Sequence, residues 1–211
     1  MAALETTASL ATAGGTLILA IATFASIRAS NRSARTAERA LLAGLRPVLA
    51  SSRMQDEEQK IHFQDGKWIK VGGGGAVVEV SETAIYFAIS LRNVGSGMAV
   101  LHGWTVEEGN NATPPVAHDP SQFRRLTRDL YIPPGEMGFW QGALRDPSEP
   151  EFASAREAVR NGSLIHIELL YGDHEGGQRV ITGFALVPRG ENGGYLTSTS
   201  RHWNIDRGDP R

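Results

Sequence analysis

Residues 6–27 carry no charged side chain, a run of 22. At 1.5 Å per residue, a helix of that length reaches across the roughly 30 Å hydrocarbon core of a bilayer. Leu10, Leu17, Ile18, Leu19, Ile21, Phe24 and Ile27 supply the strongly apolar surface, and Ala, Thr, Ser and Gly make up much of the rest. The run predicts a transmembrane helix over residues 6–27, with the lipid bilayer as its partner. A signal peptide would need a positive N-terminal region, whereas the residues before the run include no Lys or Arg and one acid, Glu5.

Charge then sets the expected orientation. Arg28, Arg32, Arg35 and Arg39 follow the run within a dozen residues, which places them at the membrane surface on the cytoplasmic side. The expectation is a single-pass protein of the cell membrane, N-terminus out and body in the cytoplasm. Residues 28–46 hold five arginines against Glu38, a local charge of +4, and the body from Pro47 onward is mildly acidic. An acidic body behind a basic collar argues against nucleic acid as a partner. Small residues recur at four-residue spacing: Ala8, Thr12, Thr16 and Ala20 on one stripe, Ala11 and Gly15 on another. Such stripes allow close helix approach and a homo-oligomer through span and stalk, although weakly apolar spans are also simply rich in Ala and Thr.

Good helix formers continue to Gly44, and Pro47 forbids continuation, so residues 28–46 read as a basic helical stalk. Residues 47–206 then give one strand signal after another. Ile61-His62-Phe63 and Trp68-Ile69-Lys70-Val71 flank Asp65-Gly66, a hairpin signal. Apolar or alternating runs follow at 76–80, 85–91, 98–106, 138–140, 164–171, 180–187 and 195–199, the last after a turn at Glu191-Asn192-Gly193-Gly194. Ser148 and Glu151 have capping-box spacing, Pro150 sits early and Asn161-Gly162 closes the segment, which predicts one short inserted helix. Residues 107–134 read as a long polar excursion and 207–211 as a loose tail. The fold class is mainly β: an antiparallel β-sandwich behind an N-terminal transmembrane helix and stalk. The absence of Cys excludes disulfides and thiolate sites.

Several short motifs carry a resemblance. Leu45-Arg46-Pro47-Val48-Leu49 stands where the stalk gives way to the first strand, and Asn93-Val94-Gly95-Ser96-Gly97-Met98-Ala99 ends a strand. Pro134-Gly135-Glu136 precedes a later strand, and Tyr171-Gly172-Asp173 opens a hairpin ending at Gly176-Gly177. In these landmarks the chain resembles a broad group of bacterial, N-terminally membrane-anchored proteins of unassigned function with an immunoglobulin-like sandwich. The group often has Pro where this chain has Met98. The resemblance implies the architecture and no active site. Physically the landmarks read as scaffold: Asn93 bonds its own turn, and Gly95 and Gly97 supply positive φ where the chain leaves the strand.

Candidate chemistry is sparse. His166 and Glu168 share one face of a strand, and Asp173-His174-Glu175 follows at a hairpin tip. This group is weighed as a dispersed acid–base or metal site, against a solvated tip. No H-x-H or H-E-x-x-H spacing accompanies it, so no metal or catalytic residue is assigned. Gly72-Gly73-Gly74-Gly75 feeds a strand rather than a helix and has no following Lys, which predicts a flexible loop and no phosphate cofactor. Arg124, Arg125 and Arg128 form a basic patch read as a solvated loop face, and Trp68, Trp104, Trp140 and Trp203 read as core or edge-covering residues. Asn111-Ala112-Thr113 matches a glycosylation acceptor, without meaning in the cytosol. The expectation is a membrane-tethered, non-catalytic module for an unknown protein partner. The competing readings are an enzyme using His166, Asp173 and His174, or a self-associating structural membrane protein.

Overall fold

The computed structural model describes residues 2–109, 118–189 and 194–206, with side chains throughout except at residues 2–13, 43 and 108. It divides into two compact units, Met1–Ala43 and Gly44–Arg211. The turn residues Glu191-Asn192-Gly193, the Asn111-Ala112-Thr113 sequence and the tail 207–211 lie outside the described residues.

The first unit belongs to one continuous helix, α1 (Ala2–Gly44). Gly14 and Gly15 are absorbed without a break, and the helix stops at Gly44, ahead of Pro47. Thr23 and Thr36 donate their hydroxyls to the Leu19 and Arg32 carbonyls of the same helix, so neither needs an outside partner. Leu17, Ile18, Leu19, Ile21, Phe24 and Ile27 are each 54–69% exposed. At 100° per residue they lie on all sides of the helix rather than in one stripe. Among the described residues no helix is long and apolar enough to cross a membrane. Arg28, Arg32, Arg35 and Arg39 are exposed, and the Arg28 guanidinium sits 5.1 Å over the Phe24 ring. Arg46, the fifth arginine of the collar, belongs instead to the second unit, where it pairs with Asp206 at 2.7 Å and bonds Asn204.

The second unit is mainly β. Its strands are β1 (Leu49–Ser51), β2 (Gln59–His62), β3 (Trp68–Val71), β4 (Gly75–Val80), β5 (Ile85–Asn93), β6 (Ala99–Gly109), β7 (Arg124–Ile132), β8 (Met137–Leu144), β9 (Leu164–Gly172), β10 (Arg179–Arg189) and β11 (Gly194–Asn204). Every ladder is antiparallel. Among the described residues nine strands form a single sheet, in the order β1-β5-β4-β11-β10-β9-β6-β7, with β8 on β5 and the β2–β3 hairpin separate. The expected sandwich would stack two sheets. Here one hydrogen-bonded path curls until its inner face encloses one core. Phe87 and Ile89 of β5 share that core with Ile167, Leu169 and Tyr171 of β9. The Leu49 N–H beside β5 reaches across to the Tyr171 hydroxyl at 3.0 Å, and burial pushes that phenol's pKa up to about 12.

The inserted helix is α2 (Pro150–Asn161). Phe152, Ala155 and Ala158 enter the core, and α2 touches β4, β5, β6 and β9. Gly162 ends it in the left-handed conformation, φ 62°, as the Asn161-Gly162 pair predicts. The start differs from the capping-box reading: Glu149 occupies the cap without a side-chain bond to the helix backbone, and Ser148 donates to Asp146 instead.

Two further expectations are corrected, and a third, on the tryptophans, holds for three of the four. The excursion over 107–134 contains β7, an edge strand whose charges disguise it; charged side chains are how exposed edges avoid pairing with other chains. The four glycines are a tight, packed turn. Gly74 has φ 65° and donates its N–H to Ser52 Oγ at 2.8 Å, and a side chain on Gly73 would strike the Arg53 and Asp56 backbone. Trp68 is 60% exposed and stacks on His62 at 4.5 Å, while Trp104, Trp140 and Trp203 are buried.

Candidate functional site

β9 alternates strictly. Ile165, Ile167, Leu169 and Tyr171 point into the core, so His166, Glu168 and Leu170 point outward by the period of two. Register sets His166 opposite Glu107 and Glu168 opposite Thr105 on β6. An outer face normally meets water. Here residues 118–123 cover part of it on their way from β6 to β7. Asp119 caps a short turn (Pro120–Gln122) with a reciprocal capping box, and Phe123 packs against Leu170, Ile181 and Trp203. Beneath this segment Glu168 is 1% exposed; His166, whose ring faces Ser200, is 8% exposed.

His118, first of the covering residues, lies between two carboxylates. Its Nδ1 is 2.9 Å from Glu168 Oε2, and its Nε2 is 2.9 Å from Glu107 Oε1. The other Glu168 oxygen, Oε1, is buried with no hydrogen-bond partner among the described residues. Partial burial pulls the His118 pKa down. The hydrogen bond and charge of Glu168, joined by those of Glu107, outweigh it and hold the pKa above its ordinary value. His166 goes the other way. Burial is its largest influence and lowers its pKa, and its Nε2 faces Ser200 Oγ at 3.1 Å. Beside the cluster opens a cleft of ≈ 870 Å³, whose walls include Glu107, His118, Gln122, Arg124, Glu151 and Ser154. Arg124 spans it, 2.7 Å from Glu149 and 3.4 Å from Glu151. An imidazole oriented by a buried carboxylate at the edge of a polar cleft can hold a proton and pass it on.

Of the residues singled out from the sequence, Glu168 joins this cluster and His166 lies beside it on β9, facing Ser200. Asp173 lies seven residues from His166 along one strand, about 23 Å at 3.3 Å per residue. It is buried and shapes the hairpin: Gly177 N–H donates to its Oδ1 at 2.8 Å, and Gly176 takes φ 73°. His174 is exposed and pairs with Glu175 at 3.1 Å. The arginine patch lies on β7. Arg124 is tied to α2, and Arg128 donates to Gln141 at 2.9 Å. Among the described residues no three His, Asp or Glu side chains are grouped to hold a metal ion.

The Asn93 corner is a bonding hub. Asn93 Oδ1 accepts from Val48 N at 3.2 Å and Gly95 N at 3.0 Å, and Nδ2 donates to the Gly97 carbonyl at 2.7 Å and the Ile132 carbonyl at 2.9 Å. The positive-φ reading of Gly95 and Gly97 is corrected, since neither has φ in the left-handed range that favours glycine. Glycine is required there by close approach. A Cβ on Gly95 would press on Val48 N and the Arg46 carbonyl, and one on Gly97 would fall on the Leu45 carbonyl.

Sequence reasoning missed His118 and Glu107 because the cluster joins positions 107, 118 and 168, which no local spacing connects. One signal was present: Glu168 is a lone acid in the apolar strand Leu164-Ile165-His166-Ile167-Glu168-Leu169-Leu170-Tyr171. No family model, curated protein or solved structure matches the chain.

Proposed function

We propose that the chain is a membrane-tethered interaction module whose β domain offers a charged cleft to a protein partner. One observation carries the reading: six large apolar side chains stand exposed on all sides of α1 between residues 17 and 27, immediately before four exposed arginines. Leaving such side chains in water forfeits roughly 1.5–3 kcal/mol apiece, and apolar side chains on every side of a helix suit burial in lipid better than lying in the interface plane, although the described part of α1 alone falls short of a membrane span. The sequence itself carries no charge back to residue 6. Arginines on one side only favour an outward N-terminus and a cytoplasmic domain. The same helix is the surface through which two copies would associate.

In this reading the curled sheet is a variant of the immunoglobulin-like sandwich, with its two faces joined through one hydrogen-bonded path instead of standing as separate sheets. Its two faces, β8-β5-β4 and β10-β9-β6-β7, are bridged by β11 and share the core that Tyr171 crosses. The cleft polar groups are matched in pairs, His118 with Glu107 and Arg124 with Glu149 and Glu151, as on a recognition surface with its own charges pre-arranged.

The His118–Glu168 contact favours a second reading, an acid–base site in the cleft, in which case exchange of His118 abolishes turnover while the fold persists.

Two measurements test the tether. Full-length chain should stay with the membrane pellet through alkaline carbonate extraction, and release into the supernatant would rule the anchor out. A reporter active only in the cytosol, fused after Arg211, should be active; activity of an export-dependent reporter there would reverse the orientation.

A further inference from the structure

We propose that His118 is a proton-operated latch: as an imidazolium it ties residues 118–123 to both β6 and β9, and on losing its proton it keeps Glu168 and releases Glu107. The inference does not depend on the membrane reading.

Its basis is hydrogen counting. A neutral imidazole has one N–H and one lone pair, and only the imidazolium has two N–H groups. Both His118 nitrogens lie 2.9 Å from carboxylate oxygens, which accept and cannot donate when ionised. With His118 neutral, one of these contacts sets a ring lone pair against an anionic oxygen, so the double contact requires a bound proton. Once the proton leaves, the remaining N–H belongs with Glu168. Glu168 is fully buried and costly to leave unpaired, whereas the Glu107 side chain is half exposed and water can satisfy it.

The segment is built to respond as a unit. Asp119, Ser121 and Gln122 bond one another inside the capping box. Among the described residues His118 supplies the only side-chain hydrogen bonds from 118–123 to β6 or β9. Phe123 holds the far end in its apolar cluster. Among the described residues the near end therefore hinges on one titratable group, and that end walls the cleft.

The charged and titratable groups facing His118 are Glu107 from β6 and Glu168 and His166 from β9, with Arg124 of β7 and Glu151 of α2 across the cleft. His118 has its folded pKa raised, so the latch is complete below the ordinary histidine value of about 6.5 and is lost as pH rises through the raised one. His166 is shifted down and titrates below that window.

The test is amide hydrogen exchange of the peptide covering 118–123 in the full-length chain, in detergent micelles from pH 5.5 to 8.5, corrected for intrinsic exchange. Protection should fall roughly tenfold across the window, about what one proton-linked contact controls. Glu107→Gln is the decisive variant. Its amide N–H₂ can donate to the lone pair of neutral His118, so protection should persist at high pH. His118→Gln should show low protection at every pH. A pH-independent wild type, or Glu107→Gln falling in parallel with wild type, overturns the latch. Should His118→Gln fail to fold, the Glu107→Gln comparison still decides.

Discussion

The corner at Asn93 and the cluster at Glu168 each bury a polar side chain, and they satisfy it differently. Asn93 has two donors and two lone pairs, and all four meet backbone groups of its own turn, of the chain entering β1 and of the end of β7. Its geometry is fixed by three chain segments at once. Glu168 meets one partner, the His118 ring, and keeps one buried oxygen without any among the described residues. A group bonded wholly to backbone changes only when the fold changes. A group bonded to one titratable side chain can change its charge and partner while the strand beneath stays in register. The first arrangement is scaffold; the second is where function has room to act.

The largest effect should come from the scaffold side. Asn93→Ala strands two backbone N–H groups and two carbonyls in or near the interior, so it should destabilise the domain by roughly 3–5 kcal/mol. Urea denaturation of the full-length chain measures this. A loss under about 1 kcal/mol would mean the corner is no more critical than an ordinary turn, and the contrast with Glu168 would collapse.

A smaller effect separates two reasons for being glycine. Gly95 has ordinary φ but no room, while Gly135, in the neighbouring turn, has φ 76° and nothing within 4 Å. Gly95→Ala should therefore cost roughly 2 kcal/mol, as overpacking does, and even a single methyl should suffice. Gly135→Asn should cost well under about 1 kcal/mol, because asparagine tolerates the left-handed region. Thermal melts of both variants give the answer, and a Gly95→Ala chain that melts with the wild type would show that close approach does not require glycine there.

What the sequence revealed follows the same division. Local chemistry was legible: Asp65-Gly66 turns β2 into β3 with Gly66 at φ 84°, Gly162 ends α2, and the apolar runs mark most strands. Asn93 was recognised as a turn residue, but its reach to Val48 and Ile132 depends on segments 45 and 39 residues away. β7 was hidden because only Leu130 and Ile132 of its residues are buried, too few to show a period. The single curled sheet was hidden because alternation tells which face is apolar and not which strand lies alongside. The His118 cluster was the least legible, since its three members arrive on β6, on the covering segment and on β9. Sites assembled by topology leave only weak marks in sequence, here one acid in an apolar strand.

The smallest effect tests whether the hairpin tip lies outside both regions. His174 is exposed, and its partner Glu175 is exposed too, so their 3.1 Å contact adds little to stability. The turn itself is held by Asp173 through the Gly177 N–H, together with the positive φ of Gly176, neither of which needs an imidazole. His174→Ala should therefore shift stability by no more than about 0.5 kcal/mol, the range of ordinary surface substitutions. It should also leave the exchange of residues 118–123 unchanged at every pH, because the tip and His118 share no hydrogen-bond partner among the described residues. An altered exchange profile in a stably folded His174→Ala chain would show the tip and the Glu168 cluster to be coupled. The acid–base reading would then have to take in the whole outer face of β9, from His166 to the hairpin, in place of the three residues that meet at His118.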